Sequence, residues 1–312
     1  MPHTFSAPGK IILFGEHAVV FGEPAISTAI NLRSNVTVAD SDDNRLNGFP
    51  VTREAAPYAF HALRLTGTSG KSITVKSDIP SGGGLGSSAA LSASLVASLL
   101  PGAERHEIAQ TAYDIEFHAQ GRASPIDTST AVHGNAIFIS SRTVPDEIWL
   151  IRGPSVQWHV GRLDIGKLSI VVGFTGRGAA TGPMVEKVRN LYERFATARD
   201  AVAEIGAVAM EAKSALRNGD IVKIGDLMNR NQGLLSVIGV STRELESLIG
   251  AVLPHSYGAK LTGAGGGGSI IALTDRPSRA SEAIAARGGI PYICVTGEEG
   301  LRREPVEGRR DS

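Results

Sequence analysis

Residues 80–90 read Pro80-Ser81-Gly82-Gly83-Gly84-Leu85-Gly86-Ser87-Ser88-Ala89-Ala90, a loop with almost no side chains. Ahead of it Ile73 and Val75, ending at Ile79, alternate as a strand does. Behind it Ser87 to Leu100 is a run of Ser, Ala, Leu and Val stopped by Pro101-Gly102, which predicts a buried helix. The glycines therefore precede a helix N-terminus. There the unpaired backbone N–H groups and the positive end of the helix dipole hold anions, and the missing Cβ atoms let the backbone approach closely. A polyphosphate cradle fits that geometry. The loop is neither a Walker loop, which ends in Gly-Lys-Ser/Thr, nor the dinucleotide G-x-G-x-x-G. Read without its neighbours, a glycine run is as readily a flexible turn.

The eleven-residue string as a whole closely resembles the phosphate-binding motif of the GHMP kinases, a family of small-molecule kinases. By that resemblance Ser81, Gly82, Gly83, Gly84, Leu85, Gly86, Ser87 and Ser88 are expected to hold the phosphates of ATP. Ser87 and Ser88 also suit a helix N-cap, a role compatible with ligand binding.

Upstream, Phe5 to Gly22 reads as two strands with polar insertions at Lys10 and Glu16-His17. Taken alone, Lys10 would be a strand-edge residue reaching solvent, and Glu16-His17 a turn. The string Ala7-Pro8-Gly9-Lys10-Ile11-Ile12-Leu13-Phe14-Gly15-Glu16-His17-Ala18-Val19-Val20-Phe21-Gly22 resembles the opening motif of the mevalonate kinase branch of the GHMP kinases. In that branch the lysine assists phosphoryl transfer and the Glu-His pair faces the acceptor. The resemblance gives Lys10 a catalytic role and Glu16 and His17 a substrate-binding one. A fixed ammonium beside the transferred group stabilises its charge, which a solvated lysine does not. Galactokinases write Gly-Glu-His-Thr-Asp here, phosphomevalonate kinases tend to have Tyr where His17 stands, and mevalonate diphosphate decarboxylases lack the Gly-Lys step. All three fit less well.

Ala103 to Gln120 is a second expected helix, carrying Glu116, and Gly121-Arg122-Ala123-Ser124-Pro125-Ile126-Asp127 follows. A helical Glu is ordinarily solvated, and an Asp two residues after Pro is by default a turn or cap residue. In the resembled family a carboxylate at this point is the catalytic aspartate, and a Glu eleven residues earlier binds Mg²⁺. Glu116 and Asp127 have that spacing. The resemblance thus implies Asp127 as catalytic and Mg²⁺ on Glu116 and Ser88, a hard cation on oxygen ligands completed by phosphate oxygens. One departure is Ala-Ser-Pro-Ile-Asp where many mevalonate kinases write Pro-Ser-Gly-Ile-Asp, so the loop is expected to be shaped differently.

The third glycine string, Gly258-Ala259-Lys260-Leu261-Thr262-Gly263-Ala264-Gly265-Gly266-Gly267-Gly268-Ser269, would alone be a tight turn between strands. It closely matches the third GHMP motif, a loop lying against the cradle, which makes Gly263, Gly265 and Gly266 active-site loop residues. Tandem glycines suit a place where two loops and a substrate crowd together. The phrase Met228-Asn229-Arg230-Asn231-Gln232-Gly233-Leu234-Leu235 also resembles mevalonate kinases, but amphipathic packing accounts for it without a site. Arg177, Thr181 and Lys187 either reach the nucleotide across the cleft or stand exposed near a helix start.

The remaining segments set the architecture. Residues 39–54 are a polar, turn-rich surface excursion, and 144–168, with both tryptophans and no clean period, is read as the inter-domain passage. Beyond it come a strand over 168–174, two helices between Thr181 and Asn218, a helix over 220–238, another opened by the capping box Ser241-Thr242-Arg243-Glu244, strands around the third glycine string, a helix from Pro277, a strand at 291–295, and a charged, mobile tail from Glu298 to Ser312. The expected fold class is α+β, a two-domain GHMP kinase fold. Residues 1–160 would form an N-terminal mixed-sheet catalytic domain that binds ATP, and 161–312 a C-terminal ferredoxin-like domain.

Composition sets the limits. Lys+Arg 31 against Asp+Glu 31 argues against a general nucleic-acid or membrane surface, and 42% hydrophobic residues over 312 suffice for a sizeable core. The single Cys294 excludes an internal disulfide and any multi-cysteine metal site. No signal peptide or spanning segment is apparent, so a cytoplasmic location is expected. The resemblance implies ATP-dependent phosphorylation of the C5 hydroxyl of mevalonate, with Mg²⁺ as cofactor, ATP and mevalonate as partners, and a homodimer by analogy. The alternatives are a GHMP kinase for phosphomevalonate, a sugar or homoserine, and a ligand-binding member of the fold without catalysis.

Overall fold

The computed structural model describes residues 2–154, 156–178 and 180–305. Strand β1 (His3–Phe14) runs antiparallel to the long β2 (Ala25–Asp40), with Lys10 opposite Ala29. The second strand expected before Gly22 does not form. Gly15 has φ +93° and a Cβ there would lie 2.5 Å from Ala25, so the chain turns sharply and residues 18–21 close as a single 3₁₀ turn.

The polar stretch after β2 folds as a small hairpin, β3 (Arg45–Leu46) and β4 (Phe49–Pro50). Helix α1 (Pro57–Thr66) and β5 (Lys71–Ser77) follow, then α2 (Ser87–Leu99), α3 (Arg105–Gln120), α4 (Pro125–His133) and β6 (Ala136–Ser140). Strands β5 and β6 both pair with β2, and β3 lies parallel to β5, which makes the sheet mixed. Helix α2 packs on β1 and β2 and carries α1, α3 and α4 around it. Its Ser/Ala composition has a reason: the helix is buried nearly all round, and Ser94 and Ser98 donate to the Ser34 and Val36 carbonyls of β2 at 3.2 and 2.9 Å. Small side chains bring the helix close enough for those bonds.

Two expectations change here. Residues 144–168 are no linker, because β7 (Glu147–Arg152) and β8 (Gln157–Leu163) form a hairpin that extends the first sheet through β6. Trp158 packs inward and Trp149 donates to Ser129, so the stretch that showed no period is held by side chains on both faces. The division expected at residue 160 falls inside β8, and the first sheet runs to Leu163.

The second half builds β9 (Ser169–Phe174), α5 (Thr181–Arg194), α6 (Ala196–Asn218), α7 (Ile221–Val237), α8 (Arg243–Val252), β10 (Gly258–Thr262), β11 (Ser269–Leu273), α9 (Pro277–Ala286) and β12 (Ile290–Val295). Helix α8 is capped by Thr242, one residue later than the expected box. The four strands pair antiparallel in the order β10-β11-β9-β12, the order of a ferredoxin-like sheet.

The chain then returns to the first sheet. Strand β13 (Arg302–Arg303) pairs with β1, and the buried Arg33 guanidinium donates to the Glu299 and Gly300 carbonyls, both at 2.7 Å. The expected mobile tail is therefore built in as far as residue 305, and residues 306–312 lie outside the described ones. Arginine, with its fixed fork of donors, can satisfy several carbonyls at once, which periodicity does not reveal.

Candidate active site

The cradle forms as its sequence suggested. Gly82, Gly84 and Gly86 have φ of 74°, 75° and 75°, and Gly86 is the residue before α2. No side chain caps the α2 N-terminus, so its first amides face the loop's concavity. Leu85 is fully buried and anchors the loop, and its carbonyl accepts from the Lys10 amide at 2.9 Å. Glycine is required at 86 for two reasons. The left-handed backbone excludes most side chains, and a Cβ would lie 2.8 Å from Lys10 Cγ.

Lys10 projects from β1 beneath this loop. It is 2% exposed, and its Nζ donates to the Gly84 carbonyl at 3.1 Å and stands 3.1 Å from Asp127 Oδ1. Asp127 lies in the first turn of α4, held by Ser124 Oγ, which donates to the same Oδ1 at 2.9 Å. Pro125 at the helix start, where the expected family glycine is absent, is accommodated because that position needs no amide donor. The structure thus joins residues 10, 84 and 127 across three elements.

Glu116 on α3 is nearly fully buried, and its Oε1 has no hydrogen-bond partner. Burial pushes its carboxyl up to about 7, the Asp127 carboxylate adds to the rise, and the Ser88 hydroxyl and Lys10 ammonium oppose it. A buried, unpartnered carboxylate oxygen beside a serine hydroxyl is a set that a hard cation completes, so Glu116 and Ser88 fit Mg²⁺. Among the described residues no three His, Cys, Asp or Glu side chains cluster as a metal site, so most of the shell would come from phosphate oxygens and water. The Tyr58 hydroxyl of α1 lies beside Ser88 and Gln120, a neighbour that no motif announced.

The pH behaviour of Glu116 gives a prediction. Its folded-state value stands above the unfolded 4.5, so its stabilising effect is complete below 4.5 and is lost as pH rises through about 7. Above that the ligand-free fold bears a penalty of about 3 kcal/mol, taking about 1.4 kcal/mol per unit of pKa. Glu116→Gln should therefore gain stability relative to the wild type as pH increases from 5 to 8, read as the difference in denaturant midpoint without ligand. A difference flat across that range would remove the buried ionised carboxylate from the account.

Glu16 is placed otherwise than expected. Glu16 is fully buried and does not open to the cleft: Oε1 pairs with Lys260 Nζ from β10, and Oε2 accepts from Asn231 Nδ2 of α7 at 3.0 Å. His17 has φ 62° and ψ −43°, and the Ala18 amide donates to the Glu16 carbonyl at 2.7 Å, a γ-turn rare for residues with a side chain. Its Nε2 donates to the Ala264 carbonyl in the third glycine loop at 2.8 Å. A carbonyl can only accept, and burial pulls the ring's affinity for a second proton down, so Nδ1 is left as an acceptor.

The third loop meets the cradle directly. A Cβ on Gly84 would lie 3.3 Å from the Thr262 carbonyl, and one on Gly263 would lie 3.5 Å from the Gly84 carbonyl. Thr262 Oγ1 accepts from the Ile12 amide at 2.9 Å and donates to the Ile12 carbonyl at 3.1 Å, linking β10 to β1. Gly265 and Gly266 sit against Val240 and Met184 instead, shaping the loop from behind. Of the residues expected across the cleft, Lys187 is tied to the Gly239 carbonyl at 2.5 Å, Arg177 holds the Gly268 amide through its own carbonyl, and Thr181 opens α5 exposed. Gly178 touches Gly82, and the Arg122 guanidinium packs on Gly182.

Sequence reasoning missed the work of Lys260, Asn231, Asn229 and Gln232. The Asn229 and Gln232 carbonyl oxygens accept from the Ala259 and Leu261 amides at 3.0 and 2.9 Å, covering the open edge of β10. The available signal was a lysine inside an apolar strand.

The chain is similar to known proteins over most of its length. The family described as GHMP kinases N terminal domain matches residues 52–135, and GHMP kinases C terminal matches residues 212–289. A mevalonate kinase from Pyrococcus abyssi is 33% identical, with 96% of this chain and 97% of that protein covered. The crystal structure of the Methanococcus jannaschii mevalonate kinase superposes with a TM-score of 0.76 at 25% identity, covering 95% of this chain and 99% of that one. The L. major mevalonate kinase in complex with R-mevalonate superposes with a TM-score of 0.77 at 23% identity, covering 95% and 96%, a likeness of fold.

Proposed function

Because the chain belongs to the GHMP kinases, alongside the mevalonate kinases, we propose that it transfers the γ-phosphoryl group of ATP to the C5 hydroxyl of mevalonate through Lys10 and Asp127, a step of isoprenoid biosynthesis. The observation that carries the site assignment is the buried Lys10 ammonium held 3.1 Å from Asp127 at the foot of an uncapped helix N-terminus.

The cradle amides and the α2 dipole take the β- and γ-phosphates. Lys10 and Ser124 both engage Asp127 Oδ1, which leaves Oδ2 to receive the acceptor's hydroxyl proton as the oxygen attacks phosphorus. Lys10 stands where charge grows on the transferring group and on the acceptor oxygen. Its own chain is buried and its amine already oriented by the Gly84 carbonyl, so little reorganisation is needed. The transition state is loose, so positioning and charge stabilisation supply most of the catalysis. When bound, Mg²⁺ on Glu116 and Ser88 would neutralise phosphate charge. His17 presents Nδ1 as an acceptor for a substrate hydroxyl, whereas Glu16 acts from behind it. No described helix is long and apolar enough to cross a membrane.

The test is ADP release with Mg-ATP and a panel of mevalonate, phosphomevalonate, homoserine and galactose. Turnover of mevalonate in preference to the other three is expected. Turnover of one of the others alone would keep phosphoryl transfer and reassign the acceptor, and silence on all four would replace the kinase reading by ligand binding without catalysis.

A further inference from the structure

We propose that the Lys260–Glu16–Asn231 cluster is a positioning device that sets the third glycine loop, and through it the Lys10 ammonium, for phosphoryl transfer, and that Glu16 does not contact the acceptor. The inference rests on the phosphoryl-transfer reading above. It starts from burial. Lys260 and Glu16 are both fully excluded from solvent and come from opposite domains, Glu16 from the turn after β1 and Lys260 from β10. Lys260 Nζ also donates to the Leu261 carbonyl at 2.7 Å, and Asn231 of α7 closes the cluster on Glu16 Oε2. Such a pair adds little net stability over an apolar pair of the same volume, because desolvating both charges offsets their attraction. What it does supply is direction: charge-assisted hydrogen bonds fix one arrangement where apolar contacts allow several.

The arrangement it fixes leads to the reacting centre. Two residues beyond Lys260, Thr262 grips both the amide and the carbonyl of Ile12, and Ile12 is two residues from Lys10 on the same strand. The Thr262 carbonyl and Gly263 abut Gly84, whose carbonyl accepts from Lys10. At the other end of the cluster Glu16 opens the strained γ-turn at His17, whose ring holds Ala264. The Glu16-His17 turn is therefore fastened to the second domain at both residues, and β10 to β1 at Ile12, two residues after the catalytic lysine. Burial lowers the proton affinity of Lys260, the Glu16 carboxylate opposes that, and the Lys10 charge adds a smaller lowering, so Glu16 is the anion that keeps the buried Lys260 ammonium paired.

The experiment compares Glu16→Gln, Lys260→Met, the double variant and Asn231→Leu with the wild type, by melting temperature, kcat, KM for mevalonate and for Mg-ATP, and amide exchange over residues 258–268. Each charge-removing single variant is expected to lose stability, because it leaves one buried charge unpaired. The double variant is expected to regain the melting temperature while kcat stays at least about tenfold low and both KM values change less than about threefold, since small misplacements of catalytic groups act on turnover. Amides of residues 262–268 should exchange faster in the double variant than in the wild type. If the singles do not fold, Asn231→Leu, which removes the amide and leaves the ion pair, should lower kcat with the same KM pattern. Recovery of kcat together with stability in the double variant, or unchanged exchange over 262–268, would show a structural role only. A tenfold rise in the mevalonate KM in Glu16→Gln, with Lys260→Met normal in both constants, would make Glu16 a substrate contact. Wild-type turnover in the acceptor panel tests the kinase reading separately, because exchange and melting temperature need no acceptor.

Discussion

Asp127→Asn is expected to lower kcat by about 10²-fold or more, with the KM for Mg-ATP little changed. The substitution is nearly isosteric. An asparagine Oδ1 at this position still accepts from Ser124 Oγ and Lys10 Nζ, the contacts made now at 2.9 and 3.1 Å, so the α4 turn keeps its shape. What disappears is the ability of the other oxygen to accept a hydroxyl proton, together with the negative charge facing Lys10. Stability should fall as well, because the buried Lys10 ammonium loses its charge partner. Single-turnover rates with and without saturating mevalonate separate the chemical step from product release. Near-normal turnover in this variant would leave Lys10 and the cradle as the catalytic apparatus and make Asp127 an orienting group.

Lys10→Met should cost about 10²- to 10³-fold in kcat, the range seen when one preorganised charge or donor is removed from a phosphoryl or oxyanion site. Methionine fills the buried channel between β1 and Gly86 at almost the same length, so the loss reports the ammonium and not a cavity. The pair is expected to be strongly non-additive. With Lys10 gone, Asp127 lacks the cation that orders it, and the double variant Lys10→Met with Asp127→Asn should be about as slow as the slower single variant. Rates that multiply through the cycle would mean that the two residues act on separate steps, against a shared site 3.1 Å across.

Much of this site is legible in the sequence. The cradle could be read because it is local: strand, glycines and helix N-terminus follow one another within about twenty residues, and their geometry depends on backbone rules that apply to any chain. Lys10, Glu116 and Asp127 were reached through motif resemblance and spacing, and they come together here because β1, α3 and α4 all pack around the same buried helix α2. The order of the second domain, a strand, four helices, two strands, a helix and a strand, was likewise contained in its periodicity.

What only the tertiary structure decided is the destination of the polar side chains and of the chain ends. The stretch at 144–168 showed no period because its two strands are held by different partners on each face, and the charged tail became part of the first sheet because Arg33 and β1 offer it donors and an edge. Glu16 carries the same letter whether it faces a substrate or a lysine 244 residues away, and burial alone separates the two. Asn229, Asn231 and Gln232 are indistinguishable from a solvated helix face until β10 is laid beside α7 with its amides unpaired. Local sequence determined the elements and the anion-binding loop, since backbone sterics and hydrophobic period act over a few residues. Long-range pairing decided which charges are buried together, since the cost of burying a charge depends on partners that no local reading contains.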